Sequence, residues 1–183
     1  MRLRNILILL VVFLALAGYF YFSNRGQPVS TPEPKLYVWL IDMDNIQRIE
    51  IKLPLENESQ SFIKEVDRSW HFDDAERSSV NMTRWGGGIP LLLSGPAANR
   101  IITENATEAE LTKFGLTQPR MKITLTLTDG TVLNITVGDS TPDGMNYYVQ
   151  TPGSNDVATV DFTWFDVLAG LVRDPPYALP PKK

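Results

Sequence analysis

The sequence of 183 residues has no cysteine and a single histidine, His71. Without cysteine, the chain has no disulfide bond, catalytic thiolate, iron–sulfur cluster or lipidated N-terminal cysteine. One histidine is too few for a histidine-based zinc site, and we expect His71, between Trp70 and Phe72, to be an ordinary strand residue. The sequence therefore predicts no catalytic residue, no metal site and no cofactor, and we expect a protein that is not an enzyme.

Positive charge is also scarce, because 17 Lys and Arg residues stand against 21 Asp and Glu residues, for a formal net charge of −4. A nucleic-acid-binding protein needs a basic surface to neutralise phosphates, and this sequence has no cluster of Lys and Arg. A nucleic-acid partner is therefore not expected. The hydrophobic fraction of 43% and the charged fraction of 21% are typical of a folded globular protein.

The longest apolar run, residues 6–22, is uncharged and ends in aromatic residues. Its length is at the short end of what crosses a hydrocarbon core of roughly 30 Å. Arg2 and Arg4 precede it, so the positive-inside rule keeps the N-terminus in the cytoplasm. We predict a transmembrane anchor at residues 1–22 that contacts membrane lipid, a single pass through the cell membrane and an extracytoplasmic C-terminal domain. A signal peptide cleaved after Ala17 is the alternative.

The rest of the chain divides into three parts by composition. Residues 23–35 are rich in Pro and Ser and are predicted to be a linker, and residues 174–183 form a proline-rich tail expected to be untethered. Residues 36–173 are predicted to be an α+β domain with one antiparallel sheet and two to three short helices. Strands are expected at 36–41, 46–53, 61–66, 70–72, 101–102, 146–151 and 157–160.

A β-hairpin is predicted on either side of Asp129 and Gly130. A two-residue loop would place Leu125 opposite Asn134 and mix apolar with polar side chains on one face. A three-residue loop, 128–130, instead pairs Leu125 with Leu133, so that all the apolar residues share a face. We therefore predict a type I turn with Gly130 in the left-handed bulge position.

Three helices have recognisable ends. Thr107 and Glu110 fit a capping box, and Asp161 is expected to cap a closing amphipathic helix. A third helix, capped by Ser79 and running toward Gly95, contains three glycines at 86–88 and Pro90. Because each of these disfavours helix by about 1–3 kcal/mol, we expect it to be kinked, broken or late-starting.

Several short motifs spread over the domain resemble the bacterial domain-of-unknown-function 4340 family. They are Trp70-x-Phe72, Leu111-x-x-Phe114-Gly115-Leu116-x-x-Pro119, Asp129-Gly130, Val137-Gly138, Asp143-Gly144 before Tyr148-Val149, and Leu168-x-x-Leu171-x-Arg173-Asp174. The likeness is expected to cover nearly all of the domain after the linker. It implies an N-terminal membrane span and an extracytoplasmic α+β domain, and some members are encoded beside transporter components. It implies no catalytic residues.

The glycine-rich stretch is the predicted partner contact, at Trp85, Gly86, Gly87, Gly88 and Pro90. It lacks the Lys-Ser/Thr that follows a phosphate-binding loop. Together with the anchor and the linker, it predicts a non-enzymatic accessory or interaction subunit of a larger bacterial membrane protein complex, with the outer domain docking on partners.

Two other functions stay open. One is an extracytoplasmic binding module for a small molecule or envelope polymer, with Trp39, Trp85, Tyr147 or Tyr148 as stacking residues. The other is an envelope enzyme with convergent carboxylates in a cleft. The aspartates at Asp42, Asp44 and 139–143 do not continue into a calcium loop, and we expect turn and capping roles for them.

Overall fold

A computed structural model describes residues 3–24, 36–86 and 88–178. The chain divides into two compact units, Met1–Pro34 and Lys35–Lys183. In the first unit, helix α1 spans Leu3–Asn24. Its apolar side chains whose positions are described are exposed, among them Leu10, Phe13 and Phe20. No helix in the described ranges is both long enough and apolar enough to cross a membrane, so the predicted transmembrane helix is not supported by the structure.

The second unit is built on one antiparallel sheet, as predicted. Within the described residues, eight strands form it in the order β3-β2-β1-β5-β6-β7-β8-β4. The strands are β1 (Ile46–Leu53), β2 (Glu58–Lys64), β3 (Trp70–Phe72), β4 (Arg100–Thr103), β5 (Met121–Leu127), β6 (Val132–Ser140), β7 (Asn146–Gln150) and β8 (Val157–Asp161). The helices of this unit are α2 (Met82–Trp85), α3 (Ile89–Ser94), α4 (Glu108–Lys113) and α5 (Phe162–Arg173).

The two faces of the sheet are packed against different elements. On the first face, alternate residues of the central strands are buried in the main core together with α3 and α5, for example Ile49, Ile123 and Leu168. On the second face, a smaller cluster around Leu111 of α4 and Val157 of β8 covers one end. The second face of β1, β5 and β6 carries polar side chains instead. This alternation is what antiparallel strands with one wet face require.

The predicted hairpin is confirmed. Leu125 pairs with Leu133 and Ile123 pairs with Ile135, which leaves a three-residue loop. Gly130 has a φ of 85°, and its N–H donates to the carbonyl of Leu127 at 3.0 Å. The burial of apolar side chains therefore overrides the two-residue turn that an Asp-Gly pair usually forms.

Two helix ends are also as predicted, and a third helix is broken. The capping box of Thr107 and Glu110 is present, and Asp161 caps α5. The helix predicted from Ser79 is broken into two short helices, as expected, but Asn81 rather than Ser79 caps the first. Gly86 ends α2 at a φ of 65°, so the described part of the second unit has four α-helices where two to three were expected.

The strand predicted at 36–41 is wrong. The segment makes one bridge, between Tyr37 and Ala97, and is otherwise irregular. Its neighbour contains Pro96, which has no N–H to donate and whose carbonyl accepts from Val38 at 3.1 Å. A ladder cannot extend through that position.

The expectation of an untethered tail is wrong for its described part. Tyr177 stacks on Phe72 with ring centroids 4.1 Å apart. The N–H of Asn81 donates to the carbonyl of Pro176 at 2.6 Å, and the N–H of Ala178 donates to that of Ser79 at 3.0 Å. Residues 174–178 therefore bind along the segment that follows β3. A proline-rich segment can do this because its backbone carbonyls still accept hydrogen bonds and its tyrosine ring still stacks.

Candidate partner-binding site

A groove of about 220 Å³ lies between the β2–β3 hairpin and the short helices α2 and α3, and we call it the Trp85 groove. Its apolar lining consists of Met43, Trp70, Met82, Trp85 and Pro90. Its charged lining consists of Asp44, Lys64 and Arg68. The groove therefore combines an apolar floor with two cations and one carboxylate.

Local structure brings the hairpin residues to this groove. Lys64 pairs with Trp70 in the β2–β3 ladder, so both side chains point to the same face. The turn between them is held by Asp67, whose carboxylate accepts from the N–H of Ser69 at 2.9 Å. Arg68 occupies the tip with a φ of 68°. The hairpin thus presents both cations at one edge of the groove.

Trp85 is the central residue of the groove and is 1% exposed. Its ring lies 4.7 Å from the ring of Phe62 and 5.3 Å from the ring of Trp70, centroid to centroid. Its indole Nε1 is buried and is the one side-chain polar atom of the described residues found buried without a hydrogen-bond partner. A buried donor without a partner costs about 1–3 kcal/mol.

The other lining residues give the groove an adaptable surface. Met43 and Met82 are 43% and 58% exposed, and methionine side chains adjust their shape to fit irregular partners. Lys64 Nζ lies 6.0 Å from the centroid of the Trp70 ring and donates to the backbone oxygen of Asp44 at 2.5 Å. The cation is therefore held over the apolar floor.

The predicted contact residues are divided by the fold. Trp85 and Pro90 are buried and line the groove, whereas Gly86 and Gly88 are exposed turn residues beside it. Gly87 lies outside the described residues. The prediction that this stretch contacts a partner is not tested by the fold.

The aromatic residues expected to stack on a ligand have other roles. Trp39 is buried, and its indole N–H donates to the carbonyl of Leu93 at 2.8 Å. Tyr147 stacks on Phe165 at 4.0 Å within the main core. Tyr148 packs against Phe114 at 4.6 Å on the second face. These three rings already pack against residues of the fold, so their faces are not free to stack on a ligand.

His71 is held by the turn that follows β3. Its Nδ1 donates to the carbonyl of Arg77 at 2.8 Å, and its Nε2 lies 3.0 Å from Ser69 Oγ. The strand role predicted for His71 is therefore confirmed.

The aspartates also have the turn and capping roles expected. Asp42 accepts from the N–H of Asp44, and Asp143 accepts from the N–H of Met145. The pKa of Asp143 is lowered by hydrogen bonds from Thr141 and Met145.

Two groove residues, Met43 and Arg68, had no signal for a contact in the sequence. Met82 was expected only as a residue of the predicted helix that contains Trp85. Lys64 pairs with Trp70 in the structure, a pairing that the sequence did not predict. The contact between the hairpin and α2 depends on tertiary packing alone.

The chain was compared with family models, curated proteins and solved structures. Residues 93–171 match the family described as Domain of unknown function (DUF4340). The resemblance expected from the sequence is confirmed over this segment, although it covers less of the chain than expected. No curated protein and no solved structure matches.

The residues of the DUF4340 match run from the end of α3 into α5, and every residue of the Trp85 groove precedes them. Inside the match, the Phe114-Gly115 and Val137-Gly138 motifs pack backbone against backbone. The N–H of Asp139 donates to the carbonyl of Phe114 at 2.9 Å. A Cβ on Gly138 would overlap that same carbonyl oxygen, so the motif specifies a close approach of α4 to β6.

Proposed function

We propose that this protein is a non-enzymatic accessory or interaction subunit of a larger bacterial membrane protein complex, and that its outer domain docks on a partner through the Trp85 groove. The observation that carries the proposal is the partly exposed apolar surface of the Trp85 groove, where Met43 and Met82 are 43% and 58% exposed. Exposed apolar side chains grouped in one groove are typical of a protein contact site.

The groove suits one kind of occupant. A segment of a partner protein that inserts an apolar side chain between Met43 and Met82 would exclude water from the floor. An acidic side chain of that segment would pair with Arg68, which has no ion-pair partner in the described part of the chain.

The membrane part of the proposal is separate and rests on the apolar run 6–22 and on the exposed apolar side chains of α1. Arg2 and Arg4 set the proposed orientation, with the N-terminus in the cytoplasm. Because the structure gives no support for a crossing helix, attachment needs a direct test. Retention in the membrane fraction after an alkaline carbonate wash is expected, and release into the wash would contradict attachment.

Docking is tested by mild detergent extraction of the full chain followed by native gel electrophoresis. We expect the chain to migrate in a particle larger than its monomer. Met82→Glu places a charge in the groove and is expected to return the chain to the monomer position. Leu91→Glu is the matched control, since Leu91 is 61% exposed on the neighbouring helix and lies outside the groove lining.

Three results would contradict the proposal. The first is a lone monomer for the unmodified chain. The second is a large particle that survives Met82→Glu. The third is a particle that both substitutions dissociate equally, which would point to loss of folding or to a different surface. Circular dichroism of both variants identifies a folding defect before the gels are compared.

A further inference from the structure

The second face of the sheet, on the side opposite the Trp85 groove, carries a depression made of three parts that share lining residues. Its widest part has a volume of about 610 Å³, within the range of ligand-binding pockets, and includes Asn105, Asn134, Thr136, Gln150 and Asn155. Within the described residues, no charged side chain lines this part. We call the whole depression the polar track.

The polar track continues across the neighbouring strands. A second depression of about 220 Å³ shares Asn134 and Thr136 with the first, and it reaches Lys52 and Lys122. A third, of about 390 Å³, shares both lysines, extends to the turn between β1 and β2 and is also lined by Glu58. The five strands crossed are adjacent, and at about 4.8 Å per strand spacing the track is about 20 Å long.

The chemistry of the track changes along its length. The neutral part offers amide and hydroxyl groups, each of which supplies donors or acceptors in the way that sugar hydroxyls do. Asn134 Oδ1 accepts from Thr124 at 3.2 Å, and Gln150 Nε2 donates to Ser154 and Asn155, so these two lining amides are held in a fixed orientation. At the other part, Lys122 has no ion-pair partner in the described chain and Lys52 pairs with Glu50 at 3.1 Å.

These features distinguish among extended ligands. A peptide partner would need apolar anchor pockets, which a lining of amides and hydroxyls does not supply. A single-stranded nucleic acid would need exposed aromatic rings for base stacking and a strongly basic groove. A neutral part rich in amides followed by Lys122, which has no ion-pair partner among the described residues, instead suits a chain of hydroxyl-bearing rings that carries a carboxylate.

We propose that the polar track binds an extended acidic oligosaccharide, with sugar hydroxyls at Asn134, Thr136 and Gln150 and a carboxylate at Lys122. This site is independent of the Trp85 groove, so either proposal can fail without the other. Because the track is open to water, each hydrogen bond replaces one to solvent, and we expect weak binding that falls as salt is added.

The test uses the full chain in lipid nanodiscs, titrated with tetragalacturonate and, separately, with uncharged maltotetraose. We expect tetragalacturonate to bind at millimolar concentration or below and to shift the amide NMR signals of Asn134, Thr136 and Gln150. Lys122→Gln is expected to weaken this binding about two- to fivefold. Thr136→Val, which keeps the shape and removes the hydroxyl, is expected to weaken both sugars.

Lys113→Gln on α4 is the matched control, because it removes an exposed lysine outside the track and is expected to leave binding unchanged. Absence of any shift with tetragalacturonate would overturn the proposal, as would shifts confined to other surfaces. Equal affinity for the two sugars would overturn the assignment to an acidic chain. Equal loss in Lys122→Gln and Lys113→Gln would mean that only overall charge matters and would also overturn it.

Discussion

Trp39 and Trp164 donate their indole N–H groups to successive carbonyls at the end of α3. Trp39 binds the carbonyl of Leu93 at 2.8 Å, and Trp164 binds that of Leu92 at 3.0 Å. The two rings meet edge to face, with centroids 6.1 Å apart. The last carbonyls of a helix have no partner within the helix, so these indoles fasten a six-residue helix to the core.

The indole–carbonyl bond of Trp164 predicts a measurable cost. Trp164→Phe keeps an aromatic ring in the core but leaves the carbonyl of Leu92 without its donor. We expect the free energy of unfolding to fall by about 1–2 kcal/mol, as measured by urea denaturation. Phe165→Leu, a core change at the adjacent position that breaks no hydrogen bond, separates loss of packing from loss of the bond. Unchanged stability in Trp164→Phe would show that the bond is not important.

The close approach of Gly138 to Phe114 predicts intolerance of any side chain. Gly138→Ala would place a Cβ against the Phe114 carbonyl oxygen, and both neighbours are backbone. We expect a loss of about 2–3 kcal/mol in the free energy of unfolding. Gly170→Ala in α5 is the control, because its Cβ meets nothing within 4 Å and alanine favours helix by about 1 kcal/mol. Equal effects of the two changes would contradict the packing account.

The carboxylate of Asp73 predicts a pH dependence. A hydrogen bond from Arg48 at 2.6 Å lowers the pKa of Asp73, burial opposes this, and Arg77 at 2.5 Å lowers it further. Because the folded pKa lies below the unfolded value of about 3.9, the ionised form stabilises the fold at neutral pH. This contribution is complete above the unfolded pKa and is lost as the pH falls through the folded pKa.

Asp73→Asn is the corresponding test. We expect it to cost about 1 kcal/mol at pH 7 and less at pH 2.5, because the native carboxyl gains protons as the pH falls. Glu76→Gln, at an exposed neighbouring carboxylate, is expected to have little effect at either pH. A cost of Asp73→Asn that is the same at both pH values would mean that the ion pairs do not stabilise the fold.

The stacking of Tyr177 on Phe72 predicts that the start of the tail stabilises the domain. Tyr177→Ala removes a ring that lies 4.1 Å from Phe72 at an interplanar angle of 17°. We expect the free energy of unfolding to fall by about 1–2 kcal/mol. Tyr177→Phe retains the ring and is expected to be neutral. If thermal denaturation shows no difference between the two variants, the tail contact does not contribute.

Sequence reasoning succeeded where local and cross-strand patterns agree. The pairing of Leu125 with Leu133 follows from alternation, because a slip of one residue would bury Asn134 in place of an apolar side chain. The capping box at Thr107 needs only residues within one turn of helix. Both features are decided over short distances along the chain.

Reasoning of the same kind failed where distant segments compete. Asn81, and not the predicted Ser79, caps helix α2. The carbonyl of Ser79 instead accepts from the backbone N–H of Ala178. The tail could not be placed because nothing local specifies that Tyr177 stacks on Phe72. The sequence did not predict the Trp85 groove, since its two methionines come from segments far apart in the chain.

By itself, the sequence determined the α+β class, the register of the β5–β6 hairpin, the caps of α4 and α5, and the likeness to DUF4340 over residues 93–171. These follow from periodicity and from hydrogen bonds between near neighbours. The tertiary structure alone decided where Trp85 lies without an acceptor and where the polar face of the sheet stays uncovered. Both depend on how elements that are distant in the sequence pack against one another, and a local sequence pattern contains no information about that packing.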